Sequence, residues 1–197
     1  MTYPFRRCTM VLVVLLIYAT SLKGQGTRDM LKNTAAILNH YEETFEIFSP
    51  SKATRTVEYD ITILKRSGED YAAFLEVYDE FRSINIISAR IYNAHGEMIK
   101  GIQSSFFRDE SLVSGYSLFE DSRVLYYKPQ VKHLPYRVSY TYEIEYSGLL
   151  SYPTWLPQFN YNIAVKEASF KLIVPREVGI HYDTGNLEAT PRIRADG

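Results

Sequence analysis

Residues 136–146 read YRVSYTYEIEY, and apolar and polar side chains alternate along this stretch without an exception. Successive side chains of a β-strand point to opposite faces of a sheet. The period of two therefore puts the tyrosines, Val138 and Ile144 on one face and leaves Arg137 and Glu143 on the other. In an α-helix the same order would spread the aromatic rings around every side. The stretch predicts a long strand, Tyr136–Tyr146, with one buried face and one face open to solvent.

A second stretch, Thr56–Leu64, alternates in the same way, with Val57, Tyr59, Ile61 and Ile63 on the predicted buried face. Weaker strand character occurs in seven more segments. These segments are Tyr41–Phe48, Ala72–Tyr78, Ile84–Tyr92, Glu97–Ile102, Arg123–Tyr127, Tyr161–Val174 and Val178–Tyr182. Turn signals separate them, and the chain lacks the strand–helix alternation of a parallel α/β sheet. The sequence therefore predicts an all-β, mainly antiparallel fold, either a β-sandwich or an open barrel.

A helical spacing of apolar side chains occurs in Met30–His40, where Met30, Leu31, Ala35 and Leu38 are apolar and helix breakers are few. This spacing predicts a short N-terminal helix that leads into the strands. Hydrophobic residues make up 46% of the chain and charged residues 23%, which excludes a disordered protein. The 17 tyrosines and 10 phenylalanines favour strands, because flat side chains fit a pleated surface well.

The first 26 residues have the order of a secretory signal peptide, with Arg6 and Arg7 before the apolar run Met10–Ala19 and small residues after it. We therefore expect residues 1–26 to be removed and 27–197 to form one exported module, periplasmic or at the cell surface of a bacterium. The single cysteine, Cys8, would be lost with the signal. The chain stops at Gly197 near a further strand or linker, which favours a module cut from a longer protein.

The sequence predicts no catalytic residues, no metal site and no cofactor. Without Cys8 there is no thiol nucleophile, and no Gly-x-Ser-x-Gly elbow occurs. The four histidines lack the spacing of metal ligands. Lysine and arginine total 22 against 23 acidic residues and form no stripe, so a nucleic-acid partner is not expected. A hydrolase whose Ser, His and Asp come from distant segments stays open as an alternative.

The best binding candidates are Tyr152, Trp155 and Phe159, which lie in a proline-containing segment just after the longest predicted strand. Aromatic side chains on a rigid loop can stack on sugars or anchor a protein partner. The alternative is that Trp155 folds back and covers an open end of the sandwich, since tryptophan is usually well buried.

Several scattered motifs add a family resemblance. They are Val77-Tyr78-Asp79 followed by Ile84–Tyr92, the turn from Asn93 to Ile99 with Gly96, the Tyr136–Tyr146 strand, Trp155-Leu156-Pro157-Gln158, and Val165-Lys166-Glu167-Ala168-Ser169-Phe170 running into Val174-Pro175. Across roughly residues 30–197 their order resembles the domain of unknown function 3857. That family is found near the N-terminus of exported bacterial proteins that often continue into a transglutaminase-like domain.

The resemblance implies a β-sandwich-like accessory domain whose own activity is unknown. The Cys–His–Asp triad would belong to the transglutaminase-like domain, so no catalytic residue carries over to this chain. The expected function is a non-catalytic binding or scaffolding module beside a transglutaminase- or peptidase-like domain. A free-standing β-sandwich that binds a cell-envelope peptide or glycan through the Trp155 segment is the first alternative, and the dispersed hydrolase is the second.

Overall fold

The computed structural model describes residues 33–112, 122–149 and 152–175, and nearly all of its regular structure is β-strand. The strands are β1 (Ala36–Ser49), β2 (Lys52–Ile63), β3 (Phe74–Tyr78), β4 (Arg82–Tyr92), β5 (Met98–Gly101), β6 (Arg108–Ser111), β7 (Arg123–Tyr127), β8 (Tyr136–Tyr146), β9 (Ile163–Val165) and β10 (Ala168–Ile173). Two short 3-10 helices, Arg66–Ala72 and Ser104–Phe106, interrupt them. Among these described residues no helix is both long and apolar enough to cross a bilayer.

The strands form two sheets. The main sheet has seven strands in the order β10-β1-β2-β8-β4-β5, with β9 also paired to β1, and the small sheet has the order β3-β7-β6. All pairs are antiparallel except those of β1 with β9 and β10, which are parallel. The all-β, mainly antiparallel prediction is confirmed, with two layers as in a sandwich and not a closed barrel.

Strand β8, which has the clearest alternation in the sequence, has the predicted bounds, Tyr136–Tyr146. It lies near the middle of the main sheet between β2 and β4. Its buried residues are Tyr136, Val138, Tyr140, Tyr142 and Ile144, so the predicted faces are confirmed as well. Burying one Val or Ile side chain stabilises a fold by about 1.5–3 kcal/mol. This face of the main sheet, the inner face, therefore forms the larger part of the core.

The predicted N-terminal helix is wrong for the residues that the structure describes, because β1 already begins at Ala36. A β-bulge at Asn39 separates the start of β1 from the strand that was predicted at Tyr41–Phe48. Leu38 pairs with Ile61 and His40 with Asp60, which leaves Asn39 as an extra residue without a partner on β2. An extra residue shifts the alternation by one position. Leu38 and Tyr41, the inner-face residues before and after the bulge, are then three apart instead of two, which interrupts the period of two that a strand prediction follows.

Other boundaries differ in smaller ways. The predicted strand Tyr161–Val174 is two strands, β9 and β10, which both run parallel to β1. The start of the predicted Ala72–Tyr78 strand belongs to the first 3-10 helix, and β6 was not predicted. The predicted strand Val178–Tyr182 and the predicted signal peptide, 1–26, lie outside the described residues.

The small sheet covers the part of the inner face formed by β8. Phe74 of β3 has its ring 5.5 Å from that of Tyr140 and 5.0 Å from that of Tyr142. The first 3-10 helix docks beside it, where the Tyr140 hydroxyl donates to the Ala72 carbonyl at 2.8 Å. Gly68 is required in this helix, because a Cβ atom there would be 2.6 Å from the Ala35 carbonyl oxygen. The β1 side of the inner face is covered by a different segment.

Candidate functional site

That segment is residues 152–161, here called the strap, and it contains the three binding residues predicted from the sequence. The structure places the ring of Tyr152 6.1 Å from that of Phe45, edge to face. The ring of Trp155 stacks 6.5 Å from that of Tyr41. The ring of Phe159 lies 5.6 Å from that of Tyr71, again edge to face. The three side chains thus hold the strap against β1 at two points and against the first 3-10 helix at a third.

Trp155 is only partly exposed, and its ring also lies 6.0 Å from that of Phe170 on β10. This arrangement favours the alternative in which Trp155 folds back onto the sheet. Tyr152 and Phe159 are different, because 62% and 44% of their surfaces remain exposed. A ligand at the surface could reach these two rings, whereas the indole ring belongs to the packing under the strap.

The strap also exposes two apolar residues that the sequence analysis did not select, Leu156 at 61% and Tyr161 at 104%. Exposure alternates from Tyr152 to Gln158, with Pro153, Trp155 and Pro157 turned towards the protein. The sequence Tyr-Pro-Thr-Trp-Leu-Pro-Gln does not show this alternation, because Trp155 and Leu156 are adjacent apolar residues, so Leu156 could not be selected from the sequence. Tyr152, Leu156, Phe159 and Tyr161 together are called the exposed row below.

A buried group of charged side chains lies on the inner face of β1 and β2 and is called the inner network. Arg55 donates from Nη2 to Glu43 Oε2 at 2.9 Å and from Nη1 to Glu76 Oε1 at 3.4 Å. The side chain of Glu43 is 0% exposed, that of Arg55 14% and that of Glu76 18%. One guanidinium thus bridges two carboxylates, one from the main sheet and one from the small sheet.

Two tyrosines complete the inner network. The Tyr41 hydroxyl donates to Glu43 Oε2 at 2.6 Å, and the Tyr142 hydroxyl donates to Glu76 Oε1. Burial, followed by the hydrogen bond to Glu43, raises the pKa of Tyr41 above its usual range. Burial and the charge of Glu76 raise the pKa of Tyr142 in the same way. Both hydroxyls therefore stay protonated and act as donors near neutral pH.

Burial alone would lower the pKa of Arg55, but the hydrogen bond to Glu43 and the electrostatic effects of Tyr142, Glu76 and Glu43 outweigh it, so the pKa is raised. Arg55 is thus a permanent cation in a buried position. A buried ion pair contributes little net stability when complete, whereas removing one partner costs several kcal/mol. The inner network therefore makes the two layers depend on each other.

A second polar group lies on the opposite, outer face of the main sheet and is called the outer network. Asp60 accepts from Arg137 Nη1 at 2.8 Å and from Asn39 Nδ2 at 2.9 Å. Asn39 also donates to Thr62 at 2.7 Å and accepts from Lys166 at 3.0 Å. Asn39, Asp60, Thr62 and Arg137 line an open depression of about 450 Å³. Most of their hydrogen-bonding groups already bind one another.

Chemical groups for catalysis are not assembled in the part of the chain that the structure describes. No group of three or more His, Cys, Asp or Glu side chains there could hold a metal ion. His40 lies 3.8 Å from Glu42 and 3.6 Å from Glu167, with no serine hydrogen-bonded to it among the described residues. His181 and the Ser114–Ser117 region lie outside that part.

Comparison with known proteins first defines a class, a two-layer β-fold. A protein from Parabacteroides distasonis, titled a "putative protease", matches with a TM-score of 0.59 and 13% identity over 72% of this chain. The match spans only 29% of that protein. Yeast LTA4 hydrolase matches over 55% of this chain and 14% of that one, with 10% identity. Its TM-score of 0.27 is too low to show a shared fold. No curated protein matches the sequence.

The family model of the "Domain of Unknown Function with solved-structure structure" (DUF3857) matches residues 49–197 of this chain. The chain belongs to this family, as its motifs indicated. The match begins at the last residue of β1. Nevertheless β1 pairs with β2, β9 and β10 and supplies Tyr41 and Glu43, so the fold and the inner network extend beyond the matched residues.

Proposed function

We propose that this chain is a non-catalytic accessory module of an exported bacterial protein and that the exposed row is its contact surface for a neighbouring domain. The exposed row is the observation that carries the proposal. Its four large side chains are exposed within ten residues of chain, and grouped apolar side chains at a protein surface mark interaction sites. Tyrosine and phenylalanine are also enriched in the centres of protein interfaces.

The length relation to the similar solved structure supports a neighbour in the same polypeptide. The fold of this chain corresponds to 29% of a protein titled a "putative protease", so there it is one part of a longer chain. A transglutaminase- or peptidase-like domain is the partner that the family resemblance implies. On this proposal the purified chain has no turnover on ester, peptide or glycoside substrates.

A second candidate function is a free-standing module that binds an extended cell-envelope peptide or glycan on the same row. The specific observation in its favour is that Tyr152 and Tyr161 present aromatic rings to solvent, with exposures of 62% and 104%. Aromatic rings of this kind bind both apolar side chains and sugar faces. The two candidates share a surface and differ in what occupies it.

The test compares the full chain with a variant that carries Leu156→Ser and Tyr161→Ser, which leaves the three aromatic residues that hold the strap unchanged. The control carries Leu75→Ser and Ile99→Ser, because these residues are 59% and 52% exposed but lie outside the strap. Binding is measured by calorimetry to a transglutaminase-like domain of a family member and, separately, to peptidoglycan fragments. We expect the row variant to weaken binding roughly tenfold or more and the control to have little effect.

The partner that binds identifies which candidate function is correct. Equal affinities of the row variant and the control would show that the exposed row is not the contact surface. Failure of the unsubstituted chain to bind either partner would exclude both candidates.

A further inference from the structure

The strap passes directly over Glu43. Tyr41, Glu43 and Phe45 alternate along the same face of β1, and the strap holds Phe45 with Tyr152 and Tyr41 with Trp155. The residues between those two contacts must therefore cross above Glu43. Phe170, the second ring under Trp155, is also the residue of β10 directly opposite Glu43. This covering explains why the charged side chain of Glu43, on the inner face of β1, is 0% exposed.

Three polar atoms beneath the strap are buried and have no hydrogen-bond partner among the described residues. They are Glu43 Oε1, Arg55 Nε and Trp155 Nε1. Tyr41 and Arg55 occupy only the other carboxylate oxygen, Oε2. Buried polar groups in native proteins are almost always paired. Arg55 and Tyr41 both donate to Glu43, and Trp155 stacks on Tyr41, so the three atoms lie on residues joined by direct contacts.

The chemistry of the three atoms defines that partner. Glu43 Oε1 accepts a hydrogen bond, whereas Arg55 Nε–H and Trp155 Nε1–H each donate one. Two donors disfavour a cation, and the carboxylate disfavours an anion. A hydroxyl oxygen has two lone pairs that accept and a hydrogen to donate, which matches the three atoms one to one.

We propose that Glu43, Arg55 and Trp155 form a binding site for one hydroxyl oxygen. The oxygen comes either from an internal water molecule or from a hydroxyl group of a bound carbohydrate. Buried waters typically make about three hydrogen bonds to otherwise unpaired groups, as here. A sugar hydroxyl would make the same bonds, with the rings of Tyr41, Trp155 and Phe170 beside it. This site and the exposed row share the strap, because Tyr152 of the row packs on Phe45, which lies on the same face of β1 as Glu43.

A high-resolution crystal structure of the full chain tests the site. We expect a single oxygen atom within hydrogen-bonding distance, about 3.2 Å or less, of all three atoms. Direct pairing of Glu43 Oε1 with Arg55 Nε in a bidentate ion pair or with Trp155 Nε1, or the absence of an oxygen shared by the three atoms, would overturn the proposal.

Fluorescence distinguishes the two sources, because Trp155 is the only tryptophan of the chain. The chain is titrated with N-acetylglucosamine oligosaccharides. A saturable shift of the emission that is lost in Glu43→Gln assigns the oxygen to a carbohydrate. An unchanged emission, with the oxygen present in the crystal, assigns it to water.

A double-mutant cycle provides a second test that does not need crystals. Trp155→Phe keeps an aromatic ring and removes the N–H donor, and it is combined with Glu43→Gln. If both residues bind one oxygen, the shift of the urea midpoint in the double variant differs from the sum of the single shifts. The control pair, Glu43→Gln with Phe159→Leu, should be additive because Phe159 packs on Tyr71 instead. Additivity in both pairs would contradict a shared oxygen.

Discussion

The two faces of the main sheet carry polar networks of similar composition in opposite surroundings. On the outer face Arg137 pairs with Asp60, and its guanidinium lies 4.0 Å from the Tyr92 ring centre. On the inner face Arg55 pairs with Glu43, beside the hydroxyl of Tyr41. The Arg137 side chain is 36% exposed and that of Glu43 is 0% exposed. Solvent reaches the Arg137–Asp60 pair more easily, since Asp60 is 17% exposed, whereas Arg55 is 14% and Glu43 0% exposed.

Arginine–carboxylate pairs therefore serve different purposes on the two faces of the main sheet. An exposed arginine–carboxylate pair contributes about 0–1 kcal/mol, because water competes for both partners and holding them in place costs entropy. The buried pair is costly to break, and it connects β1 and β2 to Glu76 of the small sheet. The outer network therefore contributes little to stability, whereas the inner network connects the two layers and the strap.

The largest effect is expected from alkaline pH, which acts on the inner face. Burial raises the pKa of Tyr136 to about 12, and the pKa values of Tyr41, Tyr59, Tyr140 and Tyr142 are raised further. Tyrosines of the unfolded chain titrate near pH 10. The stability that these groups contribute is therefore complete below about pH 10 and is lost as the pH rises towards 12 and beyond.

Circular dichroism and tyrosinate absorbance measure this loss together. We expect the inner-face tyrosines to ionise only as the strands unfold, so that both signals change in one transition. Ionisation of all tyrosines near pH 10 with the strand signal intact would show that the inner face is open to solvent.

The next largest effect is expected from Arg55→Met. The substitution leaves Glu43 and Glu76 without their cation in a buried place, which should lower the free energy of unfolding by roughly 3–5 kcal/mol. Urea unfolding of the full chain measures the change. A loss below about 1 kcal/mol would mean that water enters the inner network and that the contrast between the two faces is wrong.

The sequence predicted the fold better than it predicted the inner network. The alternation of residues 136–146 predicted the central strand and its faces correctly, because burial on one face fixes a period of two. Glu43 was not selected, although Tyr41, Glu43 and Phe45 share one face of a predicted strand. A lone glutamate among apolar residues gives no sign of its partner until the pairing of β1 with β2 is known.

The other parts of the inner network depend on tertiary structure in the same way. Arg55 lay one residue before the predicted second strand, which began at Thr56. Glu76 comes from β3, and only the stacking of the small sheet on the main sheet brings it to Arg55. The bulge at Asn39 hid the start of β1 for a related reason, since it interrupts the period on which the prediction depends. Spacing along the chain predicts faces, whereas the site is built from contacts between layers.

The smallest effect is expected from Arg137→Met, which is the matched control for Arg55→Met. The two substitutions remove the same group from opposite faces of the main sheet. On the outer face Asp60 keeps its hydrogen bond from Asn39 and gains water, so the free energy of unfolding should fall by at most about 1 kcal/mol. Salt screens exposed charges, and this small difference should shrink further in 1 M NaCl, whereas the Arg55→Met difference should persist. Equal and equally salt-sensitive losses in both variants would show that burial does not separate the two networks, because exposure is the property in which the two arginine–carboxylate pairs differ most.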